Sequence, residues 1–131
     1  MGRKVLTVEP FYENILRIHK AAKEEGISDN IILVQNALSD KRNEIKRLQP
    51  ASNNIGGQSL IESKNKVFQK KDMENDVYLV ETVLLNDLTK FLPLNNLGLK
   101  YDSAILKLDI EGNILLFLDN FVRNFLDYNV S

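Results

Sequence analysis

The chain has 131 residues, a formal net charge of −1 and a 44% hydrophobic content, which is the size and composition of one globular domain with a real core. So balanced a charge gives no pull toward a nucleic-acid backbone or an anionic membrane surface. With no cysteine and one histidine, His19, disulfides, thiolate catalysis, cysteine zinc sites and a histidine-based metal site are excluded.

The opening stretch MGRKVLTVEP has no apolar run suited to a signal peptide, and no stretch approaches the ~20 apolar residues of a membrane-spanning helix. The default expectation is a cytoplasmic chain. Val5 to Glu9 is β-branched and apolar and predicts a buried strand. Pro10 follows, a residue suited to the first turn of a helix. The helix is predicted from Phe11 to Glu25, with Phe11, Ile15, Ile18 and Ala22 on one face and Gly26 as its stop. His19 sits beside Leu16 at the edge of that face, a packing position rather than a catalytic one. Asp29-Asn30 makes a turn, and Ile31 to Gln35 is the second buried strand. Strand, helix, strand predicts a parallel pair joined by a right-handed crossover.

Asn43 to Leu48 reads as one strand of a hairpin, and Pro50 to Ser59 as a turn-rich loop. Its Gly56-Gly57 pair can let backbone approach a ligand, or simply shape a surface loop. Ile61 to Asp76 is polar and expected to be mobile; its basic run from Lys64 to Lys71 is balanced by Asp72, Glu74 and Asp76. Val77 to Leu85 is strand-like, with Tyr78, Val80, Thr82 and Leu84 on one face. Asn86 caps a short helix through Leu92, stopped by Pro93. Asp102 to Glu111 is a further strand, expected to be buried at Ala104 and Ile105, and Asn113 to Tyr128 a last helix. The alternation argues for a single α/β domain over residues 1–131 with a mainly parallel sheet, the middle hairpin pairing antiparallel at an edge.

Three places carry chemistry. Glu9 ends a buried parallel strand ahead of a helix, where an acid in nucleotide-binding α/β units accepts from ribose hydroxyls. A vicinal diol offers two donors and a carboxylate two acceptors. The same residue also suits a plain helix N-terminus, whose dipole favours an acid. Asn36, Ala37, Ser39 and Asp40 end the next strand. A flat ring such as adenine can lie against Ala37 and Leu38 with Asp40 accepting from its exocyclic amine; a turn-forming Ser-Asp pair is the alternative. In ILKLDIEG, Ile105 to Gly112, Asp109 and Glu111 are two apart on a strand and share a face. They can form a general base, a hydroxyl-binding pair or half of a metal site, or end a strand in a solvated acidic loop.

The order VEPFYENI (Val8 to Ile15), VQNALSD (Val34 to Asp40), a hairpin, VETVLLNDL (Val80 to Leu88) and ILKLDIEG (Ile105 to Gly112) resembles the FkbM-type methyltransferases. The resemblance covers roughly Val5 to Gly112 and rests on the motifs together rather than on any one. It implies a Rossmann-like fold that uses S-adenosylmethionine to methylate a hydroxyl, such as that of a sugar. Glu9 then matches the ribose-binding residue, Asn36, Ala37 and Asp40 the adenine side, and Asp109 with Glu111 the catalytic acids at the methyl and the acceptor.

The departures imply an incomplete form of that fold. The family begins with another strand and a glycine-rich turn of the Asp-x-Gly-x-Asn-x-Gly kind, whereas Val5 here begins the strand after it. Ile114 stands where the family usually has an acid, and the stretch after Gly112 looks little like the family. The expectation is therefore a partial methyltransferase domain, weakly active or inactive by itself. The alternatives are a non-catalytic interaction module, which self-associates through unpaired sheet edges, and a different Rossmann-like binder of an adenine nucleotide.

Overall fold

The computed structural model describes residues 3–49, 53, 58–61, 66–91, 105 and 107. The chain divides into two units, Met1–Leu84 and Leu85–Ser131, and the described fold is mixed α/β.

The first unit opens with β1 (Val5–Val8) and β2 (Ile31–Val34), paired in parallel from Val5↔Ile31 to Val8↔Val34. Between them run α1 (Tyr12–Glu24) and a 3-10 turn at Ser28–Asn30, so the expected strand–helix–strand unit is present. Phe11 is the extended N-cap of α1 and Glu25 its C-cap; the predicted helix was longer by these two flanking residues. Glu13 lies in the first turn and Lys23 in the last, each complementing the helix dipole. The helix ends because Gly26 takes φ +68°. That turn lets the Gly26 N–H donate to the Lys23 carbonyl at 3.2 Å and the Ile27 N–H to the Ala22 carbonyl at 2.9 Å, satisfying carbonyls the helix leaves unpaired. Ala22 is buried, Ile15 and Ile18 are partly so, and Leu16 on the far side is exposed.

The rest of the unit is a four-stranded sheet in the order β3-β6-β4-β5. β3 (Ala37–Leu38) runs parallel to β6 (Leu79–Val83), and β4 (Ile45–Gln49) runs antiparallel to both β6 and β5 (Ser59–Ile61). The β4–β5 hairpin at the edge agrees with the sequence. The mainly parallel sheet does not: among the described residues two pairings are parallel and two antiparallel. The cause is the short link from β3 to β4. It turns over the end of β6 with Asn43 at φ +62°, its N–H donating to the Thr82 carbonyl at 3.0 Å. So few residues cannot form the long crossover that a parallel return into the same sheet needs.

Phe11, Ala37, Leu48 and Val80 form the buried cluster, with Leu60 and Tyr78 packed against it. Burying side chains the size of Leu48 and Val80 stabilises by about 1.5–3 kcal/mol each. β6 is buried on both faces at its start, Leu79 and Val80 alike, before Glu81 and Thr82 bring polar side chains into the strand. Residues 70–74 also depart from the sequence reading. The polar stretch, to which no element was assigned, holds a 3-10 helix, Lys70–Glu74, closed by a capping box between Gln69 and Asp72. Reciprocal side-chain bonds to the first free N–H groups hold that turn without any apolar periodicity.

In the second unit, Leu85–Phe91 is a 3-10 helix, with an ion pair between Lys90 and Asp87 at 3.6 Å. It starts one residue before the predicted Asn86 cap. Ile105 is 93% exposed and in no strand, which corrects the buried strand position expected there; burial needs a covering layer, and none of the described residues provides one. The remaining residues of the predicted Asp102–Glu111 strand except Lys107, and the Asn113–Tyr128 helix, lie outside the described residues. Among the described residues no helix is long and apolar enough to cross a membrane.

Candidate functional site

The site is built at the carboxyl ends of β1 and β2. The Glu9 N–H donates to the Val34 carbonyl at 3.0 Å, carrying the parallel ladder one step beyond β1. Pro10 then fixes the backbone and contributes no donor. The chain turns into α1 while the Glu9 carboxylate stays at the strand end, where Oε1 accepts from the Phe11 N–H at 2.8 Å. Glu9 thus helps to close the start of α1, whose N-cap Phe11 makes no side-chain cap bond of its own. Glu9 is partly buried. Its Oε2 makes no hydrogen bond or ion pair with a described residue. Glu81, by contrast, holds Lys70 at 3.1 Å, so its carboxylate is engaged.

Asn36 lies two residues past Val34, on the neighbouring strand end. Its Nδ2 donates to the main-chain carbonyl of Glu81 at 3.0 Å. Ala37 pairs with Thr82, so Asn36 faces Glu81 one step earlier, and a side chain replaces a ladder bond where β2 gives way to β3. The bond fixes the amide, leaving Oδ1 as an acceptor with no described donor. Glu9 and Asn36 thus follow the carboxyl ends of two paired parallel strands, one residue past Val8 and two past Val34.

The other candidates are placed differently. Ala37 is 3% exposed, packed with Phe11, Leu48 and Val80; its side chain supports the strand end from beneath and presents no free surface. Asp40 is exposed in the loop after β3. Its Oδ1 accepts from the Ser39 hydroxyl at 3.2 Å, and the buried Ser39 donates its N–H to the Val83 carbonyl at 3.0 Å. Asp109 and Glu111, with Gly112, lie outside the described residues.

A support behind Glu9 escaped the sequence reading. Phe11 stacks on Tyr78 with ring centroids 5.5 Å apart and planes 15° from parallel. The Arg47 guanidinium lies 5.8 Å from the Tyr78 ring centre and pairs with Asp76. The alternation of Tyr78, Val80 and Thr82 was visible, but no local signal joins Arg47 to Asp76 or Phe11 to Tyr78.

Chemically, the arrangement is an acceptor site. A carboxylate oxygen and an amide oxygen follow adjacent strand ends, and among the described residues no cation pairs with Glu9, which suits neutral donors such as hydroxyls. Among the described residues no group of His, Asp or Glu side chains can hold a metal ion. No family model, curated protein or solved structure matches the chain.

Proposed function

We propose that the chain carries the ribose- and adenine-binding half of a Rossmann-like, S-adenosylmethionine-dependent methyltransferase of the FkbM type, acting on a hydroxyl such as that of a sugar. The observation that carries this reading is the uncommitted Oε2 of Glu9 at the end of a parallel strand, ahead of a helix. The acceptor groups suit the cofactor: Glu9 would accept from the ribose diol, and Asn36, its amide fixed by Glu81, would serve the adenine side with Asp40 beyond it.

Bound S-adenosylmethionine supplies an electrophilic methyl group on a sulfonium. Asp109, with Glu111 beside it in sequence, would take the proton of the acceptor hydroxyl as its oxygen bonds to the methyl carbon and the carbon–sulfur bond breaks. Holding the two partners in line contributes much of such a rate enhancement, and a positioned base the rest.

The test is protein-observed NMR with S-adenosylhomocysteine, adenosine, dideoxyadenosine and ATP as separate probes. The expected result is that adenosine and S-adenosylhomocysteine shift the amides of Glu9, Phe11 and Asn36, while dideoxyadenosine, which lacks the diol, does not. Equal shifts with dideoxyadenosine, or none with any probe, overturn the reading. Tighter binding of ATP than of S-adenosylhomocysteine makes the chain an adenine-nucleotide binder instead.

A further inference from the structure

We propose that Tyr78 and Arg47 are positioning residues for the Glu9 carboxylate, setting its hold on a ribose from the opposite sheet; the link to ribose rests on the function proposed above.

The connection runs through Phe11, which does two things at once. Its N–H fixes Glu9 Oε1 at 2.8 Å, and its ring, 3% exposed, fills the core. The carboxylate can therefore be no better ordered than the Phe11 backbone, and that backbone is as fixed as the ring that anchors it. The anchor is Tyr78, stacked on Phe11 at 5.5 Å. Offset-stacked rings prefer a narrow range of geometries, so the pair restrains position as well as adding contact.

Tyr78 is itself held on three sides. Its N–H donates to Asp76 Oδ1 at 3.0 Å, and its carbonyl accepts from the Leu48 N–H at 2.7 Å. Above the ring lies the Arg47 guanidinium, 5.8 Å from the centroid, locked by its ion pair to Asp76 Oδ2. Asp76 thus holds both the backbone and the cation that define the Tyr78 position. A partly buried pair of this kind is screened less than an exposed one. The sequence Asp76, Arg47, Tyr78, Phe11, Glu9 is one chain of contacts across the unit.

The readout is the Phe11 amide proton. An N–H bonded to a carboxylate moves in chemical shift as that carboxylate is protonated, so the Phe11 amide should report Glu9 directly in a pH titration. Expected in the unsubstituted chain is a large excursion of this resonance. Tyr78→Leu should shrink it and weaken adenosine binding by roughly two- to tenfold, the range a lost aromatic pair gives. Tyr78→Phe should restore both, because the ring is what matters, and Arg47→Met should give an intermediate effect. If Tyr78→Leu does not fold, Arg47→Met, which keeps the side chain's apolar stem, carries the test. Unchanged excursions in Tyr78→Leu and Arg47→Met overturn the positioning role whether or not adenosine binds. A missing adenosine response in the unsubstituted chain, with the excursions altered as expected, instead overturns the ribose reading alone.

Discussion

Asn36 donates its side-chain amide to the main-chain carbonyl of Glu81 at 3.0 Å, taking the place of a ladder bond where β2 passes into β3. The two short strands are thereby stitched to β6 through one side chain, and the same bond orients the amide at the candidate site.

Asn36→Ala should lower stability by about 1 kcal/mol, the usual net worth of such a bond. Asn36→Asp should cost more at neutral pH, because it sets a carboxylate oxygen against the Glu81 carbonyl. Urea unfolding of the three chains gives the order; an Asn36→Asp chain more stable than Asn36→Ala would contradict it.

Thr82 is 2% exposed and its hydroxyl oxygen accepts from the Glu44 N–H at 3.0 Å. Thr82→Val keeps the shape and removes the acceptor, stranding a partly buried donor. The expected loss is about 1–3 kcal/mol, read as a lower urea midpoint with an unchanged slope.

Leu48 is 1% exposed in the core, whereas Leu16 is 47% exposed on the outer face of α1. Leu48→Ala should cost about 2–5 kcal/mol through lost transfer energy and the cavity left behind. Leu16→Ala should stay within about 0.5 kcal/mol. Comparable losses at the two positions would mean that the far side of α1 is covered in solution.

Gly26 sits at φ +68° with nothing within 4 Å of where a Cβ would stand. Gly26→Ala should therefore pay only for the left-handed backbone, about 1–2 kcal/mol, and Gly26→Asn less. Thermal unfolding of both variants checks the order.

What could be read in advance follows how local the cause is. β1, α1 and β2 were legible because Pro10 and Gly26 punctuate them and Val5 to Val8 and Ile31 to Val34 are apolar runs. The strand predicted over Val77 to Leu85 shrank to Leu79–Val83 because the Asp76 carboxylate takes the Tyr78 N–H and turns the chain there. β3 was hidden: two residues carry no period, and their partners Thr82 and Val83 are distant in sequence. The Lys70–Glu74 turn was hidden for the opposite reason, since its capping box runs from Gln69 to Asp72 rather than from the usual Ser or Thr to Glu. At the site, Glu9 and Asn36 were legible as strand-end polar residues. The burial of Ala37 was not, because it depends on Phe11, Leu48 and Val80 arriving from three separate elements.

The central claim is that Glu9 Oε2 receives a ribose hydroxyl, and Glu9→Gln tests it most directly. The carboxamide keeps an oxygen for the Phe11 N–H and replaces the second acceptor by a donor, so the fold and the start of α1 should survive. The measurement is adenosine affinity of Glu9→Gln against the unsubstituted chain by NMR titration. The expected result is a loss of about tenfold or more, the worth of a hydrogen bond to a charged acceptor, with the amide spectrum otherwise preserved. Equal affinity in the two chains would contradict it.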